Sequence, residues 1–157
     1  MKIIFLSFSD HKGGASMAAH AIYRSLESKK SIFLTVDKKY KNTKNLHNFY
    51  GKIYIYILRV VEKILIFFFC KKKFHQSLNI FTTFSKKKIS FNSADLINIH
   101  WVNRSMISLK EMSTFKEKIV ISLHDMWFFN STEHYFTKKN SHTDFLSKYC
   151  WAQKKRF

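Results

Sequence analysis

Two short stretches set titratable side chains where a β-rich run ends. In Ile119–Phe129 the run Ile-Val-Ile-Ser-Leu is followed by His124, Asp125, Met126 and Trp127. In Ala94–Trp101 a second run, Leu96–Ile99, ends in His100 and Trp101. An imidazole titrates near neutral pH and can give or take a proton. In open α/β sheets, ligands bind beyond the carboxyl ends of the parallel strands. A His-Asp pair at such an end is therefore a candidate site by position. Two strands that each close on His and then Trp could aim both imidazoles at one cleft. A lone strand-end His is more often a hydrogen-bonded structural residue than a catalyst, and His100 keeps that plainer reading beside the other.

A third stretch carries glycine. Asp10-His-Lys-Gly-Gly-Ala-Ser lies between an apolar run and an amphipathic one. A glycine pair there permits a tight turn and brings bare N–H groups close to a ligand. The start of a helix adds positive partial charge, so Gly13 and Gly14 mark a loop that favours phosphate. The plainer reading is that glycine only permits the turn. Lys12-Gly13-Gly14 also resembles the deviant phosphate loop of partition-type ATPases. That loop needs a further Gly and then Lys-Ser/Thr, whereas Ala15, Ser16, Met17 and Ala18 follow here.

The elements that must position these residues alternate. Ile3–Phe8 reads as a strand, and Ser16–Lys29 as a helix with Ala18, Ala19, Ile22, Tyr23 and Leu26 on one apolar face. Ile32–Val36 is the next strand. Strand, helix and strand at this spacing form a βαβ unit, which implies an α/β fold with a parallel sheet. Asp37–Tyr50 is polar and reads as a loop. Lys52–Cys70 reads as an amphipathic helix, with Ile53, Ile57, Val60, Val61, Ile64, Leu65 and Phe68 on one side and Arg59, Glu62 and Lys63 on the other. Its charges exclude a membrane span. By default its apolar side packs on the sheet; the alternative is that it lies in an anionic membrane interface.

Leu78–Phe84 and Ile89–Phe91 are short β-like pieces around Lys86–Lys88. Leu96–Ile99 is a core strand. Ser108–Lys116 reads as a short helix, with Ser108 as N-cap and Glu111 at the capping-box position. Ile119–Leu123, without charge and almost without polarity, reads as a strand buried on both faces. Phe145–Phe157 resembles the opening of another basic helix.

At 157 residues the chain suits one domain, and 46% hydrophobic residues argue against disorder. Its 28 basic and 10 acidic residues leave a charge of +18. The lysines are scattered in runs, and no nucleic-acid motif accompanies them. An anionic lipid surface or a phosphate-bearing ligand is the better partner, and nucleic acid is not expected. Two distant cysteines build neither a disulfide framework nor a zinc site. No metal is expected, the N-terminus lacks a signal peptide, and a reducing cytoplasm is the simplest compartment, with contact at the inner face of the membrane as an extension.

Three blocks carry a resemblance to a known family. Ser7–Ala19 looks like its "S-x-S-D-x-x-G-G-A-A-x-A-A" loop. Ala94–Asn103 looks like "A-D-I-I-N-L-H-W-I-N", and Ile121–Phe129 looks like "W-T-L-H-D-M-W-P-F". The chain thus resembles the N-terminal half of family-4 glycosyltransferases of GT-B fold, of the colanic acid, capsule and O-antigen type. The resemblance implies a Rossmann-like parallel sheet flanked by helices as an acceptor-side domain. It implies retaining transfer of a sugar from a nucleotide-sugar to a glycan or lipid-linked acceptor, with no cofactor beyond that donor substrate. By position, His124 faces the donor sugar as the catalytic candidate, and Gly13 and Gly14 approach the donor phosphates. Asp10, Asp125 and His100 complete the candidate substrate-binding set. Phe128 replaces the family's proline, and the chain ends before the family's nucleotide-binding domain. The resemblance therefore implies a fragment, inactive by itself, with a non-catalytic remnant or binding module as the alternative.

Overall fold

The computed structural model describes residues 1–26, 30–45, 49–69, 77–82, 94–125 and 127–128. Five parallel strands form one sheet in the order β3-β2-β1-β4-β5: β1 (Ile3–Leu6), β2 (Ile32–Thr35), β3 (Lys44–Asn45), β4 (Leu96–Ile99) and β5 (Lys118–Ile121). The helices are α1 (Gly14–Ser25), α2 (Phe49–Phe69) and the single turn α3 (Leu109–Met112). The fold is α/β, with helices flanking a parallel sheet, as the alternation of elements implies. Because β1 joins β2 on one side and β4 on the other, the strand order reverses beside β1. A crevice opens at such a switch point, beyond the carboxyl ends of the strands.

The central strands β1, β2 and β4 bury both faces, and their side chains divide with period two. Ile3, Phe5 and Phe33 join Ala19 of α1 on one face, with Tyr23 packed against them. Ile4, Leu6, Leu34, Ile97 and Ile99 point the other way, where Ile55 of α2 and Met112 of α3 meet them. Full burial of each such side chain contributes about 1.5–3 kcal/mol.

Four expectations change. The first concerns α1. It starts at Gly14, and its buried residues are Ser16, Ala19 and His20, while Ile22 and Leu26 are exposed. His20 takes an inward place by stacking on Tyr40 at 4.2 Å and meeting Asn42 Oδ1 at 3.4 Å. The second is the polar stretch after β2, which supplies the two-residue strand β3 and the start of α2. The third is β5. It is an edge strand rather than one buried on both faces; Ile119, Val120 and Ile121 are 38–46% exposed. Among the described residues it pairs with β4 alone.

The fourth change is the largest. The apolar side of α2 points away from the sheet: Ile53, Ile57, Val60, Val61, Ile64 and Phe68 are all exposed. The buried side carries Ile55, Glu62 and Ile66, and Glu62 is only 5% exposed. One Glu62 carboxylate oxygen accepts the N–H groups of Leu78 at 2.6 Å and Asn79 at 2.9 Å. The other accepts the Ser105 hydroxyl at 3.2 Å. A buried carboxylate is tolerated only when its lone pairs are engaged, so these partners determine which side of α2 faces inward.

The short helix α3 begins as expected, with Ser108 Oγ accepting the Glu111 N–H at 3.1 Å. No strand occupies 78–82, while Ile89–Phe91, Lys86–Lys88, Cys70, Met126, Phe129 and Phe145–Phe157 lie outside the described residues.

Glu62→Leu raises the hydrophobicity of α2 yet removes the acceptor of two backbone N–H groups and of the buried Ser105 hydroxyl. We expect it to destabilise the fold by about 2–4 kcal/mol in chemical denaturation. A neutral or stabilising result would refute the anchoring role.

Candidate functional site

The turn after β1 is built by short polar side chains. Ser9 Oγ accepts the N–H groups of His11 at 3.3 Å and Lys12 at 3.1 Å, which curls the chain toward α1. Gly13 then caps α1 with φ 81° and ψ 159°, a region open essentially to glycine alone. Gly14 has an ordinary φ and begins the helix. No side chain caps α1 and no acidic residue sits in its first turn. Its first N–H groups are thus available to an anion.

Asp10 does not line the cleft. It is fully buried, and its carboxylate holds the segment after β2. Its oxygens accept the Thr43 hydroxyl at 2.6 Å, the Lys39 N–H at 2.9 Å and the Tyr40 N–H at 3.1 Å. His11 Nδ1 is 3.0 Å away. Burial pushes its pKa up, but the hydrogen bonds from Thr43, Tyr40, Lys39 and His11 outweigh burial and hold it below the ordinary value. These bonds shape the loop that follows β2.

A cleft of about 550 Å³ lies at the carboxyl edge of the sheet. Lys12, Gly13, Gly14, Arg104, His124 and Asp125 are among its lining residues. The glycine loop and the His-Asp pair therefore meet there, although more than a hundred positions separate them. Phe8 and Trp101 form an aromatic wall, edge-to-face with centroids 6.0 Å apart. Lys12 Nζ pairs with Asp37 Oδ2 at 2.9 Å.

Asp125 is an organiser as much as a wall. Its two oxygens accept the Trp101 indole N–H at 3.1 Å and the Trp127 backbone N–H at 3.0 Å. Trp127 is buried, and its indole N–H donates to Ser77 O at 2.6 Å. This ties the end of β5 to the end of β4.

His100 lies beneath the cleft, 2% exposed and stacked near Phe5. Its Nδ1 meets His124 Nε2 at 2.8 Å. Burial first, and the neighbouring His124 second, push the His100 pKa down to about 4, so it is neutral at pH 7. Its Nε2 is buried without a partner. A buried orphan N–H is costlier than a buried orphan lone pair, so the proton belongs on His100 Nδ1, which donates to His124 Nε2. This tautomer is inferred from the hydrogen-bond network. His124, which is exposed, then carries its own proton on Nδ1. It can offer an N–H to a ligand oxygen, while its Nε2 is occupied. His100 is thus a buried, hydrogen-bonded residue whose one engaged ring nitrogen meets His124.

Arg104, which lies outside the three sequence blocks, also lines the cleft. Its guanidinium sits over the rings of Trp101 at 5.1 Å and Phe8 at 5.5 Å. Burial, and then the like charge of Arg59, push its pKa down, with Asp37 acting the other way. Arg104 and Ser105 both hold left-handed backbone, with φ 62° and 57°, and such conformations cost about 1–3 kcal/mol each and persist only where the surroundings impose them. The buried Ser105–Glu62 bond is one such constraint. The only sequence signal was a lone arginine soon after a strand-end Trp.

Among the described residues no group of three or more His, Cys, Asp or Glu side chains is placed to hold a metal ion. Comparison of the chain with family models, with curated proteins and with solved structures returned no match.

Two outcomes follow. Gly13→Ala should cost about 1–3 kcal/mol, whereas Gly14→Ala should be neutral or stabilising by up to about 1 kcal/mol, read by denaturation midpoints. Equal effects would remove the special place of Gly13. The second outcome concerns pH. His100 takes a proton near 6.5 when unfolded and near 4 when folded, so its contribution is present above 6.5 and is lost as pH falls toward 4. Wild-type stability should drop by up to about 3 kcal/mol over that window, and His100→Phe should flatten that drop. An unchanged slope would show that His100 is not the group responsible.

Proposed function

We propose that this cleft is the acceptor-side half of a glycosyltransferase site. It would serve transfer of a sugar from a nucleotide-sugar to a glycan or lipid-linked acceptor in surface-polysaccharide biosynthesis. The observation that carries the reading is the convergence of all three motif blocks at one sheet edge. Gly13 and Gly14, Trp101 and His124 come from separate blocks and line one cleft. The strand order β3-β2-β1-β4-β5, which reverses beside β1, is consistent with a Rossmann-like half.

The chemistry suits these groups. When the bond from the sugar's anomeric carbon to the diphosphate breaks, negative charge grows on the departing oxygen. The uncapped start of α1 and the Arg104 guanidinium oppose that charge from positions already set, and preorganised charge of this kind lowers barriers most effectively. The N–H of His124 is suited to hold a sugar oxygen, with His100 beneath it fixing which nitrogen donates. In this reading His124 binds and orients, and removes no proton through Nε2. A partition-type ATPase is a poorer fit, because the residues after Gly14 offer no lysine for the outer phosphates and Lys12 is paired with Asp37.

Calorimetric titration of the purified chain with UDP-glucose as a probe tests this reading. Weak saturable binding is expected, reduced about tenfold in Arg104→Gln, since a hydrogen bond to a charged group contributes about 1.5–3 kcal/mol. Binding and hydrolysis of magnesium-ATP in preference to the nucleotide-sugar would overturn the reading in favour of an ATPase. Absence of binding to nucleotide-sugar and to oligosaccharide alike would overturn it outright.

A further inference from the structure

The outward side of α2 is the largest feature that the cleft does not use. Over 21 residues, about 32 Å at the α-helical rise, it exposes an apolar stripe. Ile53, Ile57, Val60, Ile64, Phe67 and Phe68 are 41–73% exposed. All lie within roughly 100° of one another on the helix at 100° per residue. The buried Ile55, Glu62 and Ile66 lie on the opposite side.

The energetics make this a surface in need of a cover. The three bonds to Glu62 contribute about 1.5–3 kcal/mol each at most. Covering six large apolar side chains would contribute a comparable or larger sum. Contiguous apolar patches of this kind mark interaction or membrane surfaces.

Charge selects the occupant. Lys52 and Lys63 are exposed along one border of the stripe, with Arg59 half-buried beside them. The one acidic residue of α2, Glu62, is turned inward and engaged. The outward surface of the helix is therefore apolar and cationic, on a chain of net charge +18. Tyr54 and Tyr56, 53% and 66% exposed, flank the stripe; an aromatic body with a polar tip suits the level of lipid headgroups. No helix among the described residues is long and apolar enough to cross a membrane, so a membrane contact through α2 must be one that lies in the interface.

We propose that α2 docks the protein on an anionic lipid bilayer, lying parallel to the surface with Ile57, Ile64 and Phe68 below the headgroups and Lys52 and Lys63 among them. Arg59 on α2 is within electrostatic reach of Arg104, which lines the cleft. The inference rests on the exposed stripe and its charges, and stands whether or not the cleft transfers sugar.

The test uses the full chain and sedimentation with vesicles of phosphatidylcholine alone or mixed with phosphatidylglycerol. Wild type should favour the anionic vesicles, and the preference should fall as salt rises from about 0.1 M to about 1 M, where screening shortens from about 10 Å to about 3 Å. The pair Ile57→Gln and Ile64→Gln leaves net charge unchanged and should weaken binding about tenfold or more; circular dichroism and denaturation confirm that the variant folds. Lys52→Gln with Lys63→Gln should weaken anionic binding to a similar degree and leave neutral vesicles unaffected. For a reading independent of those variants, a fluorophore on Ile64→Cys, with Cys70 and Cys150 replaced by Ser, should shift to an apolar signal on anionic vesicles. Three results overturn the proposal. One is no preference for anionic lipid. Another is undiminished binding by the glutamine pair together with an unshifted fluorophore, which would mean charge alone attracts the chain. The third is a dimer in lipid-free solution, dissociated by the glutamine pair, which would give the stripe to a second copy.

Discussion

The parallel pairing of β1 with β4 is the constraint on which the cleft depends. It brings together residues separated by more than ninety positions and continues past the regular strands. The His100 N–H donates to Leu6 O at 2.9 Å, and the Phe8 N–H donates to Trp101 O at 2.8 Å. One register further out, the Ser122 N–H donates to Ile99 O at 2.8 Å. These bonds align the ends of β1, β4 and β5 at one edge. The chain leaving β1 turns into α1, whereas the chain leaving β4 continues through Trp101 toward Arg104. Their divergence opens the space that the side chains of three motif blocks then line.

Two buried carboxylates decide how the rest of the chain is laid over this sheet. Asp10 gathers donors from the segment after β2, and Glu62 gathers donors from residues 78, 79 and 105. Each is a charge removed from water, sustained only by a full set of hydrogen bonds. The consequence is an exchange of roles. Asp10, which looked available for substrate, is consumed in structure. The apolar stripe of α2, which looked like core, is left outside because the opposite side of the helix carries the anchor.

The histidine pair shows the same coupling between core and surface. His100 is held neutral by burial, and its ring Nδ1 meets the surface-facing His124. A buried imidazole with one unpartnered nitrogen has one inexpensive way to place its proton, and that choice passes to the exposed ring. The chemical character of the cleft is therefore set one layer below it, in the same core that stabilises the strands.

The amino-acid sequence by itself determined the alternation of strands and helix, the parallel sheet, the placing of Gly13, Gly14, His124 and Asp125 at strand ends, and the Ser108 cap. These are legible because they follow from local periodicity and turn chemistry, which act over a few residues. It also named Asp10 and His100, without distinguishing residues that line the cleft from those buried beneath it. That distinction, with the entry of Arg104, the obligatory backbone of Gly13 as against the tolerant one of Gly14, the exposure of β5 and the inverted face of α2, was decided only by the tertiary structure. The physical reason is common to all. Periodicity reports which side of an element is apolar, but which side is buried is decided by the partners available across space, and a hydrogen-bonded carboxylate such as Glu62 can turn that choice around.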